Sequence, residues 1–481
     1  MALHIYNTLT RKKEFFQPQS AGQVKFYCCG VTPYDHSHLG HGRSYVVWDT
    51  VRRYLEFSGY SVTYIQNFTD VDDKILKRAD ETGLTMTEVA NTFIASYHDD
   101  MKALNIRPAT AFPRITTSMP QITDLIKELE TAGFAYPSHG DVYYHVRRFA
   151  DYGKLSGKRL EQLEAGRSNR LNDDEVDRKQ DPFDFALWKA AQEGEPAWES
   201  PWGPGRPGWH IECSAMLREH LGDTVDIHAG GEDLQFPHHE NEIAQSEAVT
   251  GKPLAHWWMH NGFLNVVDSE GKVEKMSKSL GNFVTLRNLF QEYSPMALRL
   301  LVLNTIYRNP ITFSLDILQA NQNAWHTIEE ALQLSDWIAS ILRQPLDGEV
   351  LSEEIERFKK GMDDDFNTPE ALTVIFELRN YLLKEYNTVT HGGTLADPAH
   401  FARTWRTLKL LSEVLGLKAE PIKAKIMSLS AEAIEAQILL RKQARESRNW
   451  GEADRIRKYL AEKGITLIDH KDKPTTWISS L

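Results

Sequence analysis

The sequence contains few cysteines and no long apolar run. Only three of its 481 residues are cysteine, which is too few for a disulfide framework and favours a reducing compartment. No apolar segment approaches the roughly 18–20 residues that span a bilayer. The first residues, MALHIYNTLTRKKEFF, lack the apolar core of a signal peptide. These absences predict a cytoplasmic location.

The composition is that of a globular enzyme of two to four domains. Hydrophobic residues make up 41% of the chain and charged residues 25%. The net charge of −12 argues against indiscriminate nucleic-acid binding. Residues 421–481 nevertheless carry 12 Lys and Arg against 8 Asp and Glu, so this tail is +4 and the rest is −16. Such a tail is typical either of a polyanion-binding unit or of a solvated helical face.

The N-terminal region has the pattern of a parallel βαβ unit. Val24–Cys29 is a short apolar strand, Arg43–Ser58 has helical spacing, and Tyr60–Gln66 is a second strand. In a parallel sheet, ligands bind beyond the carboxyl ends of the strands. The predicted loop Gly30–Gly42, rich in histidine, lies at that position.

The pattern then changes from mixed to helical. Residues 74–132 are helix-rich, and residues 169–208 have the composition of an insertion rather than a core element. After Leu280 the spacing is helical almost to the end. The remaining predicted elements are strands at Asp141–Val146, Val225–His228 and Trp257–Val267, and helices at Ile211–Leu221, His238–Val249, Glu432–Asn449 and Glu452–Lys463.

A literal Gly-x-Gly-x-x-Gly pattern occurs at Gly203, Gly205 and Gly208. It follows the residues ESPW rather than a strand, and two prolines, Pro204 and Pro207, stand inside it. A dinucleotide-binding turn needs a strand before the glycines and a helix after them. We therefore predict that this pattern is not a dinucleotide site.

Two short polar segments carry residues suited to phosphate chemistry. HLGH, residues 38–41, precedes the first predicted helix, and KMSKS, residues 275–279, follows a predicted strand. Imidazoles at a helix N-terminus can donate to phosphate oxygens, and lysines can neutralise charge on a transferring phosphate group. Taken singly, the histidines could be capping residues and KMSKS a basic surface loop. Together, in this order and on these elements, they are poorly explained by chance.

HLGH and KMSKS together resemble the two signatures of class I aminoacyl-tRNA synthetases. Longer runs extend the resemblance, over nearly the whole chain, to the bacterial type of cysteinyl-tRNA synthetase. These runs are CGVTPYDHSHLGHGRSY, NFTDVDDKI, SPWGPGRPGWHIECSAM, DIHAGGEDLQFPHHENEIAQSE, EKMSKSLGNF and MDDDFNTPEAL. One mild departure is Pro33, where the family more often has an aliphatic residue.

The resemblance implies a zinc site, with one ion bound by Cys29, Cys213, His238 and Glu242. Cys28 is then expected to pack within its strand. His238 and Glu242 are four residues apart, which places them on one helix face, although that spacing alone is weak evidence. Zinc binds a thiolate well and an alcohol weakly. It would therefore separate cysteine from serine, which a hydrophobic pocket does poorly.

The resemblance also assigns roles around the site. Catalysis is expected from His38, His41, Lys275 and Lys278, and ATP binding from His38, Gly40, His41, Asp233 and Lys278. The cysteine pocket is expected to include Thr69, Trp209 and His228. Trp209 could equally be a packing aromatic.

The expected reaction has two steps. L-cysteine reacts with Mg-ATP to give cysteinyl-adenylate and pyrophosphate, and cysteine then passes to the 3′-terminal adenosine of tRNA(Cys). The expected fold is α/β: a Rossmann-like parallel-sheet catalytic domain with an insertion, a helical bundle and a small C-terminal anticodon-binding domain, in a monomer. The expected divisions are 1–114 and 206–267 (catalytic), 115–205 (connective insertion), 268–314 (KMSKS and tRNA stem), 315–420 (helical bundle) and 421–481 (anticodon recognition, with Trp450 and Trp477).

Two other functions fit parts of the pattern. The cysteine ligase of mycothiol synthesis shares the catalytic half and the zinc site but lacks a C-terminal anticodon unit. A non-catalytic, zinc-bearing RNA-binding protein would not need intact HLGH and KMSKS. A secondary persulfide-forming activity with pyridoxal phosphate, associated in the family with lysines such as Lys74 and Lys77, has no distinguishing signal in the sequence.

Overall fold

The computed structural model describes residues 2–160, 178–267, 273–275, 284–420, 429–463, 465–469 and 474–479. Contacts divide the chain into two compact units. The first comprises Met1–Asn321 with Gly361–Pro369, and the second comprises Gln322–Lys360 with Glu370–Leu481. Among the described residues, no helix has the length and apolar character to cross a membrane.

The strands of the described residues are mostly short. They are β1 His4–Asn7, β2 Lys12–Phe15, β3 Gln23–Val31, β4 Ser61–Phe68, β5 Ala135–Ser138, β6 Asp141–Tyr144, β7 Phe185–Ala190, β8 Gly205–Pro207, β9 Val225–Gly231, β10 Ala255–Asn261, β11 Leu264–Val267, β12 Val273–Lys275, β13 Ile311–Phe313, β14 Ile465–Ile468 and β15 Thr476–Ser479.

The α-helices of the described residues dominate the second half of the chain. They are α1 Leu39–Phe57, α2 Asp73–Thr82, α3 Met86–Ala103, α4 Met119–Thr131, α5 Trp209–Leu221, α6 Glu240–Thr250, α7 Leu286–Leu289, α8 Pro295–Leu303, α9 Leu315–Leu332, α10 Ser335–Ser340, α11 Ser352–Met362, α12 Thr368–Thr390, α13 Pro398–Val414, α14 Ala431–Glu446 and α15 Trp450–Glu462.

A four-stranded parallel sheet forms the centre of the first unit. Its strand order is β10-β9-β3-β4, and β3 pairs in parallel with both β4 and β9. The predicted βαβ unit is therefore confirmed as β3, α1 and β4. The predicted loop Gly30–Gly42 is too long, because α1 already begins at Leu39. His38 caps that helix, and Gly42 packs closely against Leu286, since a Cβ there would lie 2.9 Å from Cδ2 of that side chain.

A second sheet corrects the interpretation of residues 169–208 as an insertion without core elements. Strands β5, β6, β7 and β8 form an antiparallel sheet in that order. Leu187 and Trp188 of β7 are fully buried in a hydrophobic cluster with α4 and α5. The apolar pair Leu187 and Trp188 outweighs the polar composition around it because it covers these helices. Residues 161–177 lie outside the described residues.

The glycines of the Gly-x-Gly-x-x-Gly pattern have packing roles in this sheet. Gly205 lies in β8 against Trp188, and Gly208 precedes α5. A Cβ at Gly208 would lie 1.9 Å from the carbonyl oxygen of Ala186. Close approach of β7 to the start of α5 therefore accounts for the glycine.

The predicted strand Trp257–Val267 is two strands, β10 and β11, because the chain turns at Gly262 and Phe263. Gly262 touches the backbone of residues 308–309, where a Cβ would lie 2.5 Å from an oxygen. Strand β11 then pairs with β12 and β13 in a separate three-stranded sheet. Strand β13 interrupts a region predicted to be helical.

The second unit is helical, as predicted, except near its end. The predicted helix pair is confirmed as α14 and α15. A hairpin of β14 and β15, which was not predicted, follows the last predicted helix. Ile465 and Leu467 of β14 are buried against the helix pair, because alternate apolar residues of a strand share one face.

Candidate active site and metal centre

A cavity of about 400 Å³ lies at the carboxyl ends of the parallel strands. Its walls include residues at the ends of β3, β9 and β10, the start of α1, and Lys74 of α2. Of the predicted site residues it contains Cys29, His38, Gly40, His41, Trp209 and Asp233. The prediction that the ligand site lies beyond these strand ends thus coincides with a cavity of ligand size.

His38 and His41 form a reciprocal cap at the start of α1. Nδ1 of His38 accepts from the backbone N–H of His41 at 3.3 Å, and Nδ1 of His41 accepts from the backbone N–H of His38 at 3.4 Å. The two rings stack with centroids 3.6 Å apart. Since both Nδ1 atoms accept, Nε2 carries the proton in each neutral ring and is a hydrogen-bond donor.

The segment after KMSKS is attached to HLGH. The backbone N–H of Leu39 donates to Val284, at 3.0 Å, and that of Leu286 donates to Ser37, at 2.9 Å. On the other side, Lys275 ends β12, which pairs with β11. The described residues therefore include HLGH, Lys275 and the chain from Val284 onward. Lys278 lies outside the described residues.

The four predicted ligands come together at the cavity wall that Cys29 lines. Cys29 stands near the end of β3, Cys213 on α5, His238 in the helical turn before α6, and Glu242 in the first turn of α6. All four are buried, and their ligand atoms lie within 4.8 Å of one another. Nε2 of His238 is 3.0 Å from Oε1 of Glu242, and Sγ of Cys29 is 3.5 Å from that same oxygen.

The 3.5 Å separation is that expected around a tetrahedral zinc ion, and the 3.0 Å separation is slightly shorter. Zn–N and Zn–S bonds of about 2.0–2.3 Å place neighbouring ligand atoms about 3.3–3.8 Å apart in a tetrahedron. Two thiols, one imidazole and one carboxylate are also a donor set that suits a borderline-soft metal. The residues present therefore fit zinc.

A second ligand set shares two of these residues. Cys29, His228, His239 and Glu242 also lie within 4.8 Å of one another. A metal-binding histidine almost always uses its second ring nitrogen in a hydrogen bond. The Nδ1 atom of His228 is buried without a partner among the described residues, whereas Nδ1 of His238 lies 3.0 Å from Nδ1 of His210. The set with two thiols and His238 is therefore the better metal site.

Further imidazoles contact the proposed ligands. Nε2 of His228 lies 2.8 Å from Oε2 of Glu242, and Nε2 of His239 lies 3.3 Å from Sγ of Cys29. Nδ1 of His239 is in turn 2.8 Å from Nε2 of His260. Burial lowers the pKa of His239, and burial lowers that of His260 to about 3, so both rings are neutral. They act as dipoles that orient the thiol of Cys29.

Burial and the close charges set the proton affinities of the ligands. Burial first, then Cys213 and Glu242, raise the pKa of Cys29. A hydrogen bond from Cys29 outweighs burial and lowers the pKa of Cys213 to about 6. Burial opposes the charged form of His238, but Glu242 and Cys213 raise its pKa to about 10. Without metal, the cluster therefore holds protons on Cys29 and His238, which a metal would displace.

The predicted pocket residues differ in exposure. Trp209 is 44% exposed, lines the cavity, and its ring centroid lies 4.5 Å from that of His238. Asp233 follows β9 and lines the same cavity. Thr69 and His228 are buried, and His228 contacts Glu242.

Sequence reasoning assigned no role to several residues of the site. They are Tyr27, Asn67, His210, His239 and His260. His210 and His239 are adjacent in sequence to the predicted site residues Trp209 and His238. That adjacency could have indicated that they belong to the site. Tyr27 and His260 lie on strands, where nothing in the local pattern separates them from ordinary core residues.

Two family models match the chain. Residues 15–323 match the class I (C) tRNA synthetase catalytic domain. Residues 357–420 match the DALR domain. The first match covers both HLGH and KMSKS and more than half of the chain.

Curated relatives and a solved structure extend these matches. A "Cysteine--tRNA ligase" of Gloeobacter violaceus is 64% identical over 477 residues, covering 99% of each chain. One of Synechococcus elongatus is 54% identical over 487 residues, again covering 99% of each. The structure of Mycobacterium tuberculosis methionyl-tRNA synthetase in complex with methionyl-adenylate matches with a TM-score of 0.57 and 17% identity, over 82% of this chain and 90% of that one. At that identity the structural match supports the α/β fold alone, and it confirms the predicted fold class.

Proposed function

Because this chain belongs to the cysteine–tRNA ligase family of class I synthetases, it is an enzyme that ligates cysteine to tRNA, and we propose that zinc and the HLGH cavity carry out its substrate selection and chemistry. The observation that carries the proposal is the cluster of Cys29, Cys213, His238 and Glu242, of which Cys29 lines that cavity. Relatives of this activity cover 99% of the chain. The mycothiol-type ligase, which would lack the C-terminal unit, is therefore not supported.

Cysteine selection rests on the proposed ligands. When bound, zinc supplies a Lewis acid that ligates a thiolate well and an alcohol weakly. Cys29, Cys213 and His238 would hold the metal firmly, and Glu242 would be the weaker ligand. Trp209, exposed at the cavity wall beside His238, covers the cysteine side chain and excludes water. Thr69 and His228 complete the pocket from below.

ATP binds along the start of α1. The Nε2–H groups of His38 and His41 donate to phosphate oxygens, and Gly40 lets the backbone approach them. Asp233, which also lines the cavity, contacts the ribose or the substrate amino group. Lys275 and Lys278 stabilise the charge that develops as the cysteine carboxylate attacks the α-phosphate, with Mg²⁺ accompanying ATP. Catalysis is therefore positioning and charge stabilisation, without a covalent nucleophile.

Transfer to tRNA uses the second unit and the C-terminal tail. The 3′-terminal adenosine enters the cavity, and the helical residues 315–420 contact the body of the tRNA. In the basic tail Trp450 is 59% exposed at the start of α15, which suits stacking on an unpaired anticodon base. The expected division at residue 421 and the role of Trp477 stay proposals of the same kind.

Metal analysis combined with cysteine-dependent ATP–pyrophosphate exchange tests the proposal. The purified protein should hold one zinc per chain, and a chelator should abolish exchange until zinc is restored. Lys278→Ala should reduce exchange by orders of magnitude while zinc content is retained. Full exchange by metal-free protein would refute the zinc role, and equal loss of cysteine binding in Lys278→Ala would refute the role of that lysine.

A further inference from the structure

Cys213 differs from the other proposed ligands in its surroundings. Cys29, His238 and Glu242 each have an imidazole partner, described above. The polar contact of Cys213 outside the ligand set, among the described residues, is Oδ1 of Asn67 at 3.8 Å. That oxygen accepts from the backbone N–H of Gly30 at 2.8 Å, so it offers no proton. Outside the ligand set, a deprotonated Cys213 would therefore face an oxygen lone pair rather than a hydrogen-bond donor.

Tyr27 carries a hydrogen-bond donor that lacks an acceptor. It lies on β3 two residues before Cys29, so both side chains point to the same face of the sheet. The side chain is fully buried, and its hydroxyl has no hydrogen-bond partner within the described part of the chain. Buried tyrosine hydroxyls usually find a partner.

The hydroxyl of Tyr27 is close to the cluster. Tyr27, Cys29 and Cys213 belong to one buried group of side chains. The side chain of Tyr27 is near enough to interact with Cys213, Cys29 and Glu242. A phenol is protonated at neutral pH and is therefore a donor. The hydroxyl of Tyr27, which lacks an acceptor, and the sulfur of Cys213, which lacks a donor outside the ligand set, thus lie in the same buried group.

We propose that Tyr27 is a positioning residue of the metal centre, whose hydroxyl donates a hydrogen bond to the sulfur of Cys213 when that sulfur binds metal. The inference rests on the proposed zinc site. The bond fixes the direction of the sulfur and disperses negative charge in a buried site where two thiolates and a carboxylate meet. It also gives each of the four ligands one outer partner, which is the usual design of metal sites.

The test is Tyr27→Phe in the full chain, which keeps the ring and removes the donor. Loss of an outer partner typically lowers metal affinity about 10–100-fold, and we expect such a fall in zinc affinity by chelator competition. With cobalt in place of zinc, the sulfur-to-metal charge-transfer band should move to longer wavelength, because the sulfur electrons rise in energy without the bond. Tyr307→Phe is the matched control, since that buried hydroxyl donates instead to Asp365 at 3.0 Å.

Thermal unfolding with and without zinc separates this role from ordinary packing. Without metal, Tyr27→Phe should unfold at or above the wild-type temperature, because the hydroxyl it removes has no partner there. With zinc it should unfold at a lower temperature than wild type. Equal losses in both states, an unchanged zinc affinity and cobalt band, or the same fall in Tyr307→Phe would each overturn the inference. If the wild-type protein itself bound no zinc, the proposed zinc site would fail first.

Discussion

The Sγ atom of Cys29 lies 3.5 Å from Oε1 of Glu242, although 213 residues separate them in the sequence. Cys29 comes from a central strand of the sheet and Glu242 from the helix packed on it. Two groups that become anionic are brought together in a fully buried place, which is costly unless a cation accompanies them. Metal binding at this point would offset that cost.

The metal centre predicts opposite outcomes for the neighbouring cysteines. Cys213→Ser should lose zinc and raise the cysteine concentration needed for exchange, because the serine hydroxyl is a poor ligand. Removing a residue that only hydrogen-bonds to a metal ligand typically lowers metal affinity by up to ~100-fold. Because Cys213 is a proposed ligand, we expect a larger loss of zinc affinity, measured by metal analysis after dialysis. Cys28→Ala is the control, since Cys28 is buried on the other side of the strand, where Tyr64 is a partner. Normal zinc content in Cys213→Ser would contradict the ligand assignment.

Gly30 should be intolerant of any side chain. Its Cβ would lie 1.5 Å from the carbonyl oxygen of Asn67, where β3 and β4 shift register beside Cys29. Gly30→Ala should cost at least about 1–3 kcal/mol of unfolding free energy and displace Cys29, so zinc content should fall too. Gly451→Ala, which meets no atom within 4 Å, should leave zinc binding unchanged. Denaturant unfolding and metal analysis measure both, and a fully stable Gly30→Ala would contradict the geometry.

Trp209 should affect cysteine binding more than metal binding. Trp209→Ala removes the ring that lies over His238 at the cavity wall, so KM for cysteine should rise about 10-fold, which corresponds to roughly 1.4 kcal/mol of lost contact. Trp209→Phe keeps an aromatic face and should change KM much less. Steady-state exchange kinetics and zinc content are the measurements. A loss of zinc in Trp209→Ala, with KM unchanged, would show a structural role instead.

The C-terminal unit should lose stability in acid. Arg441 donates to both oxygens of Asp469 at 2.7 and 2.8 Å. Burial opposes ionisation of Asp469, but Arg441 and Thr475 outweigh it and lower the pKa to about 2. An unfolded aspartate titrates near about 3.9. The folded state thus gains stability from this pair above about pH 4 and loses it as the pH falls towards 2.

Comparison with Arg441→Met isolates that contribution. At neutral pH the variant should be less stable by about 1–3 kcal/mol, the usual range for hydrogen bonds to a charged group. The difference from wild type should shrink between pH 4 and pH 2, because Asp469 becomes protonated in both proteins. Thermal unfolding followed by tryptophan fluorescence measures it. A difference that stayed constant across this range would show that the charge of Asp469 contributes nothing.

Local periodicity was sufficient to predict the elements around the site. Alternating apolar residues and helical spacing gave β3, α1 and β4, and the spacing of His238 and Glu242 placed both in one short segment. The helix there begins only at Glu240, so His238 lies in the turn before it. Composition failed at β7, because burial of Leu187 and Trp188 depends on helices that the local sequence does not contain. The hairpin β14–β15 was missed for the same reason.

The sequence by itself determined the βαβ unit and the C-terminal helix pair, the α/β class and, through HLGH, KMSKS and the longer runs, the family. Tertiary structure alone decided which distant side chains meet: Cys29 with Cys213 and Glu242, and His210, His239 and His228 beside these proposed ligands. The physical reason is that periodicity reports which face of an element is buried, whereas ligand geometry depends on how sheet and helices pack. That packing fixes distances to within a few ångströms, on which metal binding depends.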